Sequence, residues 1–205
     1  MSWSRLKRHI MAGRRSEWSA VRTEGSGHAT RLVQEAAQQG DPLRVYACGG
    51  DGTLNEVVNG AAGQAHVAVT HCPMGSGNDF LRIFGQDAAR FWQLEQLLDG
   101  PQTAMDLIEC NGRYSLNVCS VGFDARIGFG AADFKKLPLV SGTAAYQMSA
   151  LRTIIRGIHL PYQVSIDGEP MPGDRFTLLC ACNGRYYGGG FNPSPTAMPD
   201  DGMLD

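Results

Sequence analysis

The chain has no apolar run approaching the roughly 18 residues needed to cross a bilayer. Its basic N-terminal segment lacks the continuous apolar core of a secretory leader. Neither a membrane-spanning helix nor a signal peptide is therefore expected in these 205 residues. An excess of one charge is also missing: the formal net charge is -2, so no global basic field draws the protein to nucleic acid. Cysteine occurs six times but never at a zinc or thioredoxin spacing. Cys180-Ala181-Cys182 leaves one residue between thiols, and Cys48, Cys72, Cys110 and Cys119 fall mostly in apolar, strand-like runs. Reduced core thiols in a cytoplasmic protein are the expectation. There is no internal repeat and no low-complexity segment. What remains is 43% hydrophobic and 19% charged, a globular composition, long enough for one large domain or two small ones.

Residues 1–22 carry Arg5, Lys7, Arg8, Arg14, Arg15 and Arg22 against one acid, Glu17, with Trp3, Leu6 and Ile10 at helical spacing. An ordinary helix with one packed face is preferred to a membrane-surface helix. A second helix follows Thr23-Glu24-Gly25-Ser26-Gly27, with Ala29, Leu32, Val33, Ala36 and Ala37 on one face, and stops at Gly40.

The next stretch organises the chain. An apolar strand, Leu43 to Cys48, runs into Gly49-Gly50-Asp51-Gly52-Thr53, which opens a helix through Leu54, Val57, Val58 and Ala61. A glycine turn at a helix N-terminus leaves backbone N–H groups facing a phosphate. Asp51 is out of place there, because a carboxylate repels phosphate unless a divalent cation or a transferable proton lies between them. The loop points to metal-assisted or base-assisted phosphoryl chemistry; the alternative is a glycine turn with a solvated aspartate. A second strand, His66 to Thr70, completes a βαβ unit whose ligand edge lies at the carboxyl ends of the strands. That edge receives a second loop, Cys72-Pro73-Met74-Gly75-Ser76-Gly77-Asn78-Asp79-Phe80, so two glycine loops share one cleft. Asn78 and Asp79 are placed either to cap the following helix, to reach a nucleotide's hydroxyls, or to hold a metal-bound water. A further helix is predicted from about Asp87 to Leu98.

Past Pro101 the pattern changes to β-rich runs, Thr103 to Cys110 and Arg113 to Val121, joined by the type I′ pair Asn111-Gly112. Asp167-Gly168 marks a second hairpin, between Tyr162 to Ile166 and Phe176 to Cys182, and a helix is predicted over about Thr143 to Gly157. A domain boundary is placed here, with 1–101 as an α/β nucleotide-binding domain and 102–205 as a β-rich domain. Near the end, Asp200, Asp201 and Asp205 around a glycine turn suit Mg2+ or Ca2+, or form an exposed acidic turn. Met203-Leu204-Asp205 looks like the beginning of a strand.

In this order the segments resemble the diacylglycerol kinase catalytic domain family, the bacterial lipid kinases related to sphingosine kinases. The resemblance is carried by GGDGTLNEVVNG at Gly49 to Gly60, GSGNDFLR at Gly75 to Arg82 and Asp106-Leu107. Further matches are NVCSVGFDARI at Asn117 to Ile127 and YYGGG followed by PDDGMLD. It implies an ATP-dependent, Mg2+-dependent kinase that phosphorylates a lipid hydroxyl. The implied fold is an α/β domain with a parallel sheet, of the NAD kinase and diacylglycerol kinase kind, followed by an incomplete antiparallel β-sandwich.

By the same resemblance, Gly49, Gly50, Gly52 and Thr53 hold ATP phosphates and Thr23 matches a threonine at the nucleotide. Gly75, Ser76, Gly77 and Asn78 line the nucleotide side, and Asp51, Asp79 and Asp106 form the catalytic carboxylate network. Asp201, with main-chain oxygens of Met198 and Met203, matches a structural Mg2+ site. The family also has an initial strand with an Asn-Pro-x-x-Gly-like turn and a catalytic glutamate beyond the acidic turn. Neither is found here, and Glu56 and Glu169 stand in the wrong places for the latter. A truncated product is therefore expected, its first strand missing.

The lipid reading asks for an apolar wall, for which Phe123, Phe129, Phe134, Leu137, Leu139 and Val140 are candidates, with Lys135 and Lys136 for anionic headgroups. Expected partners are a lipid at the membrane surface and, left open, a second copy of the chain, with no nucleic acid. The expected location is cytoplasmic and peripheral to the membrane. Two alternatives stand beside this reading: an NAD kinase-like or sugar kinase enzyme, and a non-catalytic nucleotide-binding fragment.

Overall fold

In the computed structural model of the protein, residues 18–98, 100–122 and 160–205 are described. They belong to two compact units, one ending at Val118 and resuming over Cys182–Asp205, the other lying within Cys119–Ala181.

The first unit is built on helix α1 (His28–Ala37), strand β1 (Leu43–Gly49), helix α2 (Asp51–Ala61) and strand β2 (Val67–Pro73). β1 and β2 run parallel in register from Leu43 opposite Val67 to Gly49 opposite Pro73. Parallel neighbours need a crossover, and α2 supplies it. Helix α1 enters from Gly27 in the left-handed region, φ 78°, and is closed by Gly40, whose N–H donates to Ala37 O at 3.0 Å. Its Ala29, Val33 and Ala37, four residues apart, are buried, and the first two join Ala47, Leu54, Val57, Val58, Phe80 and Leu116 in one core. Full burial of a side chain such as Leu54 contributes about 1.5–3 kcal/mol. The helices meet at Gly60, where a Cβ would come within 2.6 Å of Thr30 O.

Beyond β2 the backbone forms a 3-10 segment (Asp79–Trp92) broken at Gly85, φ 53°, and then a short helix α3 (Leu94–Leu98). The continuous helix predicted from Asp87 is thus interrupted, because Gln93 is extended, φ -107° and ψ 100°. Arg44 of β1 closes the far end of α3, donating from Nη1 to Leu98 O at 3.2 Å and from Nη2 to Gly100 O at 3.2 Å. The hairpin of β3 (Ile108–Cys110) and β4 (Arg113–Ser115) turns at Asn111 and Gly112, φ 51° and 75°, both positive as a type I′ turn requires. Only these short pieces of the predicted runs are paired there. Asn59 of α2 anchors the hairpin, donating from Nδ2 to Tyr114 O at 2.7 Å and accepting Tyr114 N at Oδ1, 2.9 Å.

In the second unit β6 (Leu160–Pro161) pairs antiparallel with β9 (Arg175–Phe176), and β7 (Ser165–Ile166) with β8 (Glu169–Pro170) around Asp167-Gly168. The predicted hairpin at Asp167-Gly168 is therefore tighter than expected, because both residues have positive φ and close the chain at once. Strand β5 (Val118–Gly122) pairs with β10 (Leu178–Cys182). The chain then rejoins the first unit: Asn183 and Gly184 N–H groups donate to Asn117 O at 2.9 and 2.8 Å, and Asp205 exchanges both main-chain bonds with Cys182. The N-terminal basic helix, the helix over Thr143 to Gly157 and the apolar wall with Lys135 and Lys136 lie outside the described residues. Among the described residues no helix is long and apolar enough to cross a membrane.

Candidate active site

The first glycine loop follows directly from β1. Gly50 O accepts Leu54 N at 3.0 Å as the first bond of α2, so the amides of the opening turn are those a helix leaves for an outside acceptor. Gly49 O is held twice, by Met74 N at 2.8 Å and by His71 Nε2 at 3.0 Å. Since C=O and N–H point oppositely across a trans peptide, fixing Gly49 O also aims the Gly50 N–H. Thr53 lies over Gly49, where its side chain occupies the place of a Cβ, and Gly50 and Gly75 touch backbone to backbone. Both loops thus need glycine at their contact.

Asn78 has left-handed backbone, φ 51°, and its side chain turns back rather than capping. Oδ1 accepts Gly75 N at 3.2 Å and Nδ2 donates to Gly75 O at 2.8 Å, which closes the second loop as a ring. Of the two residues read as possible caps, neither bonds the helix start through its side chain. Ser76 is exposed on the loop between them.

The carboxylates of Asp51 and Asp79 converge on Gly77: a Cβ there would lie 2.9 Å from Asp51 Oδ2 and 3.6 Å from Asp79 Oδ2. Asp51 Oδ1 accepts Phe80 N at 3.4 Å. Asp79, only 4% exposed, is held on both oxygens, by Arg82 Nε on Oδ1 at 3.0 Å and by Gly189 N on Oδ2 at 2.6 Å. Arg82 in turn rests against Gly190 and faces the Tyr186 ring at 6.0 Å. Arg82, Gly189 and His71 were not among the candidate residues. Arg82 stands one helical turn after Asp79 in the GSGNDFLR block, which is a legible signal; His71 lies one residue past the strand read as His66 to Thr70, which the structure carries on to Pro73.

His71 is 3% exposed. Because a carbonyl only accepts, Nε2 carries the proton, and the buried Nδ1 has no partner among the described residues. Burial holds this imidazole's pKa below the usual histidine value, outweighing the opposite pull of the Gly49 bond and of Asp51. It is neutral at physiological pH.

Asp106 makes a different set of bonds. Its N–H donates to Pro199 O at 2.6 Å, Oδ2 accepts Gly202 N at 2.7 Å, and its carbonyl accepts Asn183 Nδ2 at 2.8 Å. It is joined to the acidic turn, and among the described residues no hydrogen bond links it to Asp51 or Asp79. In that turn Asp201 Oδ1 accepts Met203 N at 3.0 Å, with Met198, Asp201 and Met203 all exposed. No cluster of three or more His, Cys, Asp or Glu occurs among the described residues. One carboxylate with two main-chain carbonyls is nevertheless an all-oxygen donor set, the kind Mg2+ takes. Thr23 is exposed ahead of α1, and Glu56 is occupied elsewhere, its Oε2 accepting Ala29 N at 3.3 Å.

Residues 3–110 match the diacylglycerol kinase catalytic domain, and residues 117–205 match the YegS C-terminal NAD kinase beta sandwich-like domain. The chain belongs to the diacylglycerol kinase catalytic domain family. A probable lipid kinase YegS-like protein of Pseudomonas fluorescens is 36% identical over 182 residues, covering 88% of this chain and 59% of that protein. Its counterpart in Pseudomonas aeruginosa is 37% identical over 193 residues, 91% of this chain and 61% of the other. Among solved structures, a putative diacylglycerol kinase from Bacillus anthracis superposes with a TM-score of 0.65 at 28% identity, covering 90% of this chain and 61% of that one. The chain thus spans about three fifths of the length of these family members. Its mixed α/β fold with a parallel strand pair is that of the family.

Proposed function

We propose that the protein is an ATP-dependent lipid kinase that transfers the γ-phosphoryl group to the hydroxyl of a diacylglycerol-like lipid. The observation that carries this reading is the convergence of Asp51 and Asp79 on Gly77, beside the amides of the first turn of α2. Phosphoryl transfer asks mainly for positioning and electrostatic stabilisation. Gly49, Gly50, Gly52 and Thr53 present amides and the positive end of α2 to the phosphates. Gly75 to Asn78 form the facing wall, and Thr23 is assigned to the nucleotide. Asp79, held by Arg82 and Gly189, orients the carboxylate pair, while Asp51 Oδ2 faces the reacting phosphate.

Asp51 is the residue that would hold a Mg2+ in the cleft, where the cation would supply neutralisation of phosphate charge. Asp201 with the carbonyls of Met198 and Met203 would hold a second, structural Mg2+. Asp106 supports that acidic turn through its bonds with Gly202 and Pro199, apart from the Asp51 and Asp79 pair. We assign 1–101 as the nucleotide-binding domain and 102–205 as the lipid-kinase C-terminal domain. In this reading the enzyme works as a peripheral protein on the cytoplasmic face of a membrane, where ATP and the lipid hydroxyl meet.

The test measures nucleotide binding and transfer of labelled phosphate from ATP to diacylglycerol in mixed micelles with Mg2+, on one sample of the chain extended at both ends to the length of its relatives. Labelled lipid is expected, with Asp51→Asn lowering turnover by on the order of a hundredfold. Binding without transfer to any lipid in a broad panel would leave a non-catalytic nucleotide-binding module, and transfer to NAD alone would leave an NAD kinase.

A further inference from the structure

Cys48 and Cys72 are register partners on the parallel strands β1 and β2. Each stands at the root of a glycine loop, Cys48 directly before Gly49 and Cys72 before Pro73. Register partners on neighbouring strands lie about 4.8 Å apart with side chains on one face of the sheet. That separation falls inside the roughly 4.4–6.8 Å between Cα atoms that a disulfide spans. Both thiols are free, and the register sets them side by side on the sheet. They differ in access: Cys72 is 0% exposed, whereas Cys48 is only half-buried, its thiol against Tyr46 O at 3.5 Å.

We propose that Cys48 and Cys72 form an oxidation site, in which a peroxide oxidises Cys48 and Cys72 then closes a disulfide across β1 and β2. In the first step the Cys48 sulfur attacks a peroxide oxygen. An S–O bond forms, the O–O bond breaks, and the departing oxygen takes up the thiol proton and leaves as water when the oxidant is hydrogen peroxide. In the second step the Cys72 sulfur attacks the Cys48 sulfur of the sulfenic acid. The S–S bond forms, the S–O bond breaks, and the hydroxyl leaves as water with the Cys72 proton. Two thiols lose two electrons in all, and the peroxide is reduced to two waters.

The order of attack follows first from access, since Cys48 is the sulfur an oxidant can reach and Cys72 is fully buried. Hydrogen bonding from Cys72 holds the Cys48 thiol below its usual pKa, outweighing the upward push of burial. That bond, then burial, then the charge developing on Cys48 hold Cys72 above its usual pKa. The lowered pKa thus falls on the more exposed sulfur, the combination that makes a cysteine reactive to oxidants.

The experiment treats the folded protein with hydrogen peroxide, alkylates the remaining thiols and maps the cysteines by mass. No lysine or arginine separates Arg44 from Arg82, so both cysteines fall in one tryptic peptide, which a second cut after Glu56 divides. The fragments on either side of Glu56 should stay joined, lighter by two hydrogens, and separate on reduction. Two of the six thiols should become unreactive. In Cys72→Ser, Cys48 should stop at a sulfenic acid trapped by dimedone; in Cys48→Ser, Cys72 should remain a thiol. Mapping of the unmutated protein decides by itself if either variant fails to fold. Cys48 and Cys72 both alkylated after peroxide, Cys48 joined to another cysteine, or Cys48 at the sulfinic stage with Cys72 a free thiol would each overturn the proposal.

Discussion

Gly77 lies beside the carboxylates of both Asp51 and Asp79. A Cβ there would lie 2.9 Å from Asp51 Oδ2, closer than real Cβ atoms come to an oxygen, so Gly77→Ala must push Asp51 aside. Because catalysis by positioning loses on the order of a hundredfold per ångström of misplacement, a drop in turnover of about tenfold or more is expected. The melting temperature should change little, since the shifted carboxylate is only half-buried. Normal turnover in a folded Gly77→Ala protein would contradict the shared role of the two aspartates. Arg82 acts one step further out. Arg82→Met keeps an apolar stem but removes the Nε donor from the buried Asp79, which retains Gly189 N. A hydrogen bond to a charged group is worth about 1.5–3 kcal/mol. The half-exposed arginine puts the expected loss at the lower end of that range, read as a fall in urea midpoint, and an unchanged midpoint would show that Asp79 is held by the tail alone.

At the scale of elements, β2 does more than pair with β1, because His71 within it reaches under the first glycine loop to Gly49 O. Burial lowers the His71 pKa in the folded state below the value of about 6.5 it takes unfolded. Between those two values the unfolded chain binds the extra proton, so stability rises with pH there. This contribution is complete above the unfolded value and is lost as pH falls toward the folded one. His71→Gln keeps a donor for Gly49 O but cannot titrate, so the difference in unfolding free energy between about pH 7.5 and about pH 5.5 should shrink relative to the parent. An identical pH dependence in both proteins would count against a buried neutral imidazole.

The strand, loop and helix around this histidine were legible because each is signalled locally, by apolar runs, glycines and a 3.6-residue period. The same holds for Asn111-Gly112, where two adjacent residues dictate the turn. The break in the helix after Asp79 was less legible, since Gly85 and the extended Gln93 interrupt a sequence whose apolar spacing still reads as helical.

For the whole molecule, what sequence patterns do not reveal is contact across long separations. Asp79 and Gly189 are 110 residues apart, and nothing near either one announces the bond between them. Asp106 was readable as a carboxylate near the end of the α/β half, yet its partner Gly202 lies 96 residues on. These bonds belong to the returning tail, which gives the first unit part of its core support. Asn183, 0% exposed, donates to Asp106 O and to Leu116 O at 2.8 and 2.7 Å. The acidic turn is thereby coupled to the folding of the first unit, and a cation bound at Asp201 should stabilise that unit through mass action. With free Mg2+ at a hundred times its dissociation constant, the gain is about 2.7 kcal/mol. Thermal unfolding without nucleotide should therefore shift upward with added Mg2+ and back on chelation. Asp201→Ala should abolish the shift while leaving the metal-free midpoint nearly unchanged, because its side chain is exposed and, among the described residues, bonds Met203 N alone. Asp51→Asn should preserve the shift, since the cleft carboxylate belongs to a separate donor set. A shift that survives Asp201→Ala would remove the turn from the list of cation sites, and one abolished by Asp51→Asn would move that stabilisation to the cleft.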